Sequence, residues 1–465
     1  MATKTCVVLF VICVLLMGLS ALAAPAPGQE SRGVVTFHKD VLPILQKNCQ
    51  SCHRPGQIGP MSLGSYKETR PWAKAIKAAV MSRKMPPWLA DPQYGHFDND
   101  RSLTQAEIDT ILSWADSGAA EGDPKDAPAP IEWPAAGWQL QPDVTVDLPP
   151  FPVPARGILD WQILAIPSPF KKDTWVTSVE MLPGEPAVVH HFCFAFDKHK
   201  PATMYNTYEW TAVPRDEEGI TRNRGQRAAE VTVVSREVGS TEEKRRQGRP
   251  VLPSSGNSDF CYLPGLPYED YRHMNAGFFV PAGSDMIFSL HYTTNGLAAI
   301  DKSRIGFTVT NVPPAKRLLP QGGTEDLASP VQQKSRITEL EIPPNEGNYL
   351  APLTEITFLK DIELVSLKPH AHVRAKSVQY RLIYPDGREE IVLNIPRYDF
   401  NWQLTYRTSL KIPKGARMQV QFAYDNSANN KFNPDPGKWV YYGQQSWEEM
   451  GTPFLGLLLD RDASN

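Results

Sequence analysis

Apolar residues along this chain follow two rhythms, and the change between them marks the first domain boundary. From about Val34 to Gly122 they recur at helical spacing. Phe37 to Asn48 carries them on one helical face, and Pro71 to Arg83 continues with good helix formers. Thr104-Gln105-Ala106-Glu107 is a capping-box pattern that opens a further helix, and Gly118 stands where a C-terminal cap belongs. The stretch 123–137, rich in Pro, Ala and Asp up to Pro134, reads as a linker.

From Trp138 onward the pattern turns to period two and β-branched runs. Trp175 to Val179, Ala187 to Phe196, Asp285 to Tyr292 and Ile305 to Asn311 are expected strands. So are Ile356 to Lys368, Ser377 to Tyr384, Arg417 to Tyr424 and Pro453 to Leu459. Tyr384-Pro385-Asp386-Gly387 is a turn between two of them. The expected architecture is multidomain: a small all-α domain over 34–122, then two all-β sandwiches over 138–315 and 316–465, with the boundary between them lying somewhere from Pro313 to Pro344. The 43 prolines suit short strands joined by turns. Lys198 to Arg272 breaks the rhythm, and Ser235 to Arg249 has almost no apolar content, as a solvated insertion would.

The first residues carry a targeting pattern. Lys4 precedes an apolar run from Cys6 to Leu16, and Ala21-Leu22-Ala23 offers a small-x-small cleavage site. Residues 1–24 are therefore expected to be a signal peptide and the protein exported, periplasmic or secreted; an uncleaved membrane anchor is the alternative. No other run is long enough to span a bilayer, so no stable membrane span is expected after cleavage. The composition, 41% hydrophobic and 21% charged with a net charge of -3, is that of a globular protein and offers no footprint for nucleic acid or anionic lipid.

Cys49-Gln50-Ser51-Cys52-His53 is the first motif with its own chemistry. Two cysteines two residues apart, followed at once by histidine, suit thioether attachment of haem c with His53 as the proximal iron ligand. A zinc half-site and a redox dithiol are the rival readings, but no second cysteine pair follows at zinc spacing and the flanks are helical. Met85, on the proline-stiffened loop Arg83 to Trp88, is the expected second axial ligand, with Met61, Met81 and His96 as competitors. This zone looks like a small cytochrome c domain.

Of the chain's 10 histidines, five fall in strand-like runs: His190 and His191, His291, and His370 and His372. The i, i+2 spacing of His370-Ala371-His372 puts both rings on one strand face. A lone histidine in a strand is an ordinary core or surface residue, whereas five buried imidazoles without partners are costly, so a metal is expected here.

From about Trp138 to the C-terminus the sequence resembles the copper type II, ascorbate-dependent monooxygenases, the family of peptidylglycine monooxygenase and dopamine β-monooxygenase. The likeness rests on Val189-His190-His191, Leu290-His291-Tyr292, His370-Ala371-His372 and Glu449-Met450-Gly451 followed by an apolar strand. It implies two copper ions, one on His190, His191 and His291 and the other, which binds dioxygen, on His370, His372 and Met450. It also implies two jelly-roll-like sandwiches facing each other across a solvent-filled cleft, with one copper on each. A thioether donor agrees with this, being soft and favouring Cu(I) where zinc sites seldom use methionine.

Departures from the family pattern bear on substrate. The arginine that the peptide-amidating members carry two residues before the His-x-His pair is Lys368 here, and Thr452 and Phe454 stand where those members have asparagine and tyrosine. A peptide-carboxylate clamp is therefore not expected, although Lys368 remains able to meet an anion as a point charge. Cys193 and Cys261 are the only cysteines outside the leader and the haem motif, and they read either as one disulfide or as two buried thiols.

The resemblance implies hydroxylation of a C–H bond of a small-molecule substrate by dioxygen, with the fused haem passing on electrons from a redox protein or small reductant. A non-catalytic electron-transfer or copper-binding protein is the alternative, and a zinc hydrolase is a third reading.

Overall fold

The computed structural model describes residues 34–134, 137–157, 159, 162–199, 211–212, 259–266, 268–320, 329–443 and 445–461. The expected signal peptide and the stretch Ser235 to Arg249 lie outside the described residues.

In the first zone a π-type turn, Phe37–Val41, runs into the helix Leu42–Asn48, and further helices span Ala73–Met81 and Gln105–Asp116. Pro71 sits in a 3₁₀ turn, Arg70–Trp72, that leads into the second of these. The third opens on the predicted capping box: Thr104 Oγ1 accepts from the Glu107 amide at 3.2 Å, and the Glu107 carboxylate accepts from the Thr104 amide at 2.8 Å. Gly118 follows its end at φ +95°, a conformation glycine adopts without steric cost. Buried Phe37, Val41, Leu45 and Trp114 hold the bundle together. The linker folds back on it, with the Arg54 guanidinium 3.9 Å over the Trp133 ring.

The remainder is built of strands. One sheet of nine runs through both halves in the order Val144–Asp147, Arg304–Thr310, Thr174–Leu182, Ala276–Val280, Lys316–Leu319, Gly451–Asp460, Ile362–Ala371, Tyr406–Ile412, with Tyr268–Asp270 beside Thr174–Leu182. Lys316–Leu319 is the join, pairing parallel with Ala276–Val280 and antiparallel with Gly451–Asp460. A five-stranded sheet containing Gln162–Pro167, Asp285–Tyr292 and Val189–Asp197 closes a core around Phe194, Phe288 and Phe307. A six-stranded sheet containing Thr354–Phe358, Arg417–Tyr424 and Ala375–Ile383 closes the other, around Phe358, Tyr380 and Tyr406. Two sandwiches are thus present as expected, fused through a shared sheet.

The stretch read as one strand from Ile356 to Lys368 is two, in different sheets. Thr354–Phe358 ends where Asp361 turns the chain and accepts from the Lys414 amide at 2.7 Å, and Ile362–Ala371 then begins in the nine-stranded sheet. Continuous apolar character cannot report such a break, because both pieces are buried. Nor is the helical zone self-contained. Trp88, Leu89, Ala90 and Phe97 pack into the second sandwich's core. The Asp91 amide bonds the Asn394 carbonyl at 2.8 Å, and Asn99 accepts from the Arg407 amide at 2.8 Å.

Cys193 and Cys261 are direct cross-strand partners and form a disulfide, so the expected alternative of two thiols does not hold. Among the described residues no helix is long and apolar enough to cross a membrane.

Candidate metal centre

Adjacent residues of a regular strand point to opposite faces, so His190 and His191 should not meet. Their rings nonetheless lie 5.0 Å apart between centroids. The register supplies the reason. His191 pairs with His291 and Val189 with Tyr292, which leaves His190 as the extra residue of a β-bulge. Such a bulge re-aims a side chain, and here it turns His190 toward the same point as its neighbour. His291 completes a triangle, its ring 5.3 Å from that of His190 and 5.4 Å from that of His191. His190 Nδ1 is 2.9 Å from His191 Nδ1 and 3.3 Å from His291 Nδ1, and the ligand atoms of all three lie within 4.8 Å of one another. Burial holds all three below the ordinary imidazole pKa, His190 at about 4 and His291 at about 3, with neighbouring histidines adding to it. Neutral imidazoles converging at nitrogen are the donor set that a cation would satisfy.

His370 is the last residue but one of the strand Ile362–Ala371 and His372 follows directly after it, their rings 5.2 Å apart between centroids. Each has one nitrogen engaged. His370 Nδ1 meets the Gln403 side-chain carbonyl, and His372 Nδ1 lies 3.2 Å from the Glu448 carbonyl oxygen. Donation from Nδ1 leaves Nε2 as the free lone pair in both rings, the arrangement in which a second contact orients a metal-ligating histidine. His372 Nε2 is buried without a hydrogen-bond partner among the described residues, an orphaned polar atom that a metal would satisfy. Burial lowers the pKa of both rings. Ala371 pairs with Gly451, so the antiparallel register carries Met450 to the position across from His372.

Glu449 organises this second set. Its buried carboxylate accepts from the amides of His372 at 2.9 Å, Arg374 at 2.6 Å and Met450 at 3.3 Å. Burial pushes it up to about 8, while the Arg374 guanidinium and these amides pull it back.

The two sets are not separated. The rings of His191 and His370 lie 6.3 Å apart, and the Phe400 ring stands 4.8 Å from His190, 6.3 Å from His291 and 6.1 Å from His372. Ser446 Oγ, from the second half, is 3.2 Å from His291 Nε2. This corrects the expectation of two sites facing each other across a cleft: here the five rings form one cluster, because the shared sheet draws the halves together. Lys368 requires a second correction. It is 5% exposed and bonds Glu269 of the first half at 2.5 Å, so the anion it meets is internal.

In the helical zone Cys49 caps the helix Leu42–Asn48, and both the Cys52 and His53 amides bond the Cys49 carbonyl, at 3.1 and 2.9 Å. The tight turn thus presents two free thiols and the imidazole together. His53 Nδ1 lies 3.3 Å from the Met61 carbonyl oxygen, which leaves Nε2 for iron, and burial lowers its pKa. Gly59 packs so closely that a Cβ there would come within 2.7 Å of His53 Nδ1. Burial pushes the Cys49 thiol up to about 12, which disfavours the thiolate a redox dithiol needs. These residues fit a covalently held haem.

Met85 is half-buried on the wall of a cavity of about 500 Å³ between the helices and the second sandwich. Met61 reaches His53 through its carbonyl, Met81 is 57% exposed and His96 is exposed. Sequence reasoning missed Gln403, Phe400 and the role of Glu449, which are far in sequence or silent as motifs; an acid placed beside an apolar strand was the one available signal. Compared with known protein families and with curated proteins, the chain matches none.

Proposed function

We propose that the chain is an exported monooxygenase with two coppers at the five-histidine cluster and a haem c at Cys49, Cys52 and His53. The observation that carries this reading is how the imidazole nitrogens are used. His370 and His372 each commit Nδ1 to a protein oxygen, while His190, His191 and His291 bring three donors within 4.8 Å of one another. Copper held there supplies the one-electron and dioxygen chemistry that side chains lack.

The chain's own residues set the conditions for it. Burial keeps the imidazoles neutral and therefore able to ligate. Met450 adds a soft thioether beside His372, which favours Cu(I). Glu449 fixes the backbone that carries His372 and Met450. Phe400 places an apolar ring among the donors and limits water there. His53 and Met85 are the axial haem ligands in this reading, and electrons reach the cluster from the haem. The second reading, a non-catalytic electron-transfer or copper-binding protein, draws on the deep burial of His191, His291 and His372, at 2%, 7% and 1% exposure.

Dioxygen uptake by the copper- and haem-loaded chain separates the two. With ascorbate and a panel of small organic substrates, isotopically labelled dioxygen should place its label in a hydroxylated product, and His370→Ala should abolish this. A loaded chain that never consumes dioxygen favours the carrier.

A further inference from the structure

The turn that precedes Met450 reaches both sets of histidines. Gln445 and Glu448 close it: the Gln445 amide donates to Glu448 Oε2 at 2.8 Å, and the Glu448 amide donates to the Gln445 carbonyl at 2.9 Å. Three further bonds fix it within the second half. Arg374 Nη1 donates to the Trp447 carbonyl at 2.8 Å, the Glu449 amide to the Tyr441 carbonyl at 3.0 Å, and the Gly443 amide to the Glu449 carbonyl at 3.1 Å. Gly443 also lies so close to the Glu448 carboxylate that no Cβ fits there. From this turn the Glu448 carbonyl meets His372 Nδ1, and the Ser446 hydroxyl meets His291 Nε2 at 3.2 Å.

The second set takes its outer contacts, Gln403 and the Glu448 carbonyl, from its own half. The first set does not. His291 belongs to the strand Asp285–Tyr292 of the first half, whereas Ser446 is 155 positions away in the second. His190 Nδ1 lies 2.9 Å from His191 Nδ1 and 3.3 Å from His291 Nδ1, so the Nδ1 atoms are the ones that converge. A neutral imidazole that ligates through Nδ1 carries its proton on Nε2, and in His291 that N–H donates to Ser446 Oγ. We propose that Ser446 is a positioning residue for the first metal: by accepting from His291 Nε2, it fixes the tautomer and angle of that ring, so a hydroxyl of the second half completes the metal set of the first. The proposal rests on the copper reading above. It gives the shared sheet a chemical consequence, because the sheet sets one half's hydroxyl against the other half's imidazole.

The test uses the full chain loaded with copper. Ser446 is half-buried on a turn, so Ser446→Ala should fold, with the circular dichroism of the wild type. Competition with a Cu(I) chelator should show copper at His190, His191 and His291 weakened by about 10–100-fold, with copper at His370, His372 and Met450 unchanged. Pulsed EPR of the cupric protein adds a readout that a packing role would not move. The quadrupole coupling of a bound imidazole's outer nitrogen responds to the hydrogen bond on that nitrogen, and one such coupling should shift in Ser446→Ala. Unchanged affinity at the first set, equal loss at both sets, or unmoved outer-nitrogen couplings overturns the inference alone. A wild-type chain that binds no copper at His190, His191 and His291 overturns both it and the reading on which it rests.

Discussion

Replacing Glu449 by glutamine probes how far one buried carboxylate holds the second metal set. Its Oε2 accepts from the His372 and Met450 amides and its Oε1 from the Arg374 amide. A glutamine that keeps its oxygen toward His372 and Met450 must turn its NH₂ against the Arg374 N–H, donor to donor. The loss is one buried amide bond, about 1–3 kcal/mol, against a total stability on the order of 5–15 kcal/mol for a domain. The fold should survive. The ligand geometry should loosen, because the side chain is pushed off the Arg374 amide and the oxygen that spaces His372 and Met450 is no longer held in place. Removing such an outer contact costs about 10–100-fold in metal affinity. Competition with a Cu(I) chelator should therefore show copper at His370, His372 and Met450 weakened by that factor, while copper at His190, His191 and His291 is unchanged. Equal loss at both sets, or none at either, would refute the reasoning.

Three further outcomes follow from buried contacts elsewhere. Opening the disulfide by Cys193→Ser with Cys261→Ser frees a loop with a sequence separation of 68, which should cost about 4 kcal/mol by chain entropy, read as a lowered urea midpoint. Lys368→Met strands Glu269, 4% exposed, and should cost about 3–5 kcal/mol; adding Glu269→Gln should recover much of it, and equal single and double losses would contradict the pairing. Asp259 is raised from 3.8 to about 7 by burial. Its folded state holds a proton that the unfolded state releases, so stability falls as pH rises from about 4 to 7, toward a limit of about 1.4 kcal/mol per pH unit. Asp259→Asn should flatten that slope in urea titrations, and an unaltered slope would exclude Asp259 as its source.

Much of the fold was legible because local rules decide it. Asp285 to Tyr292 and Arg417 to Tyr424 are strands over the residues their patterns mark, and Thr104 caps its helix as its motif requires. The rings of His370 and His372 come together because the two residues stand two apart at a strand's end. The meeting of His190 and His191 was not legible, since it depends on a bulge set by the partner strand at His291 and Tyr292. The shared sheet was hidden for a similar reason: Lys316–Leu319 is a short strand whose two partners come from opposite halves. Lys368 looked like a site residue because nothing local reveals Glu269, 99 positions away.

The central claim, two coppers at the five-histidine cluster fed by a covalent haem, is tested most directly by metal and haem analysis of the purified full chain. The account predicts two coppers and one haem per chain, with one copper lost in His370→Ala. Zinc at the cluster, or a chain that binds no covalent haem, would contradict it.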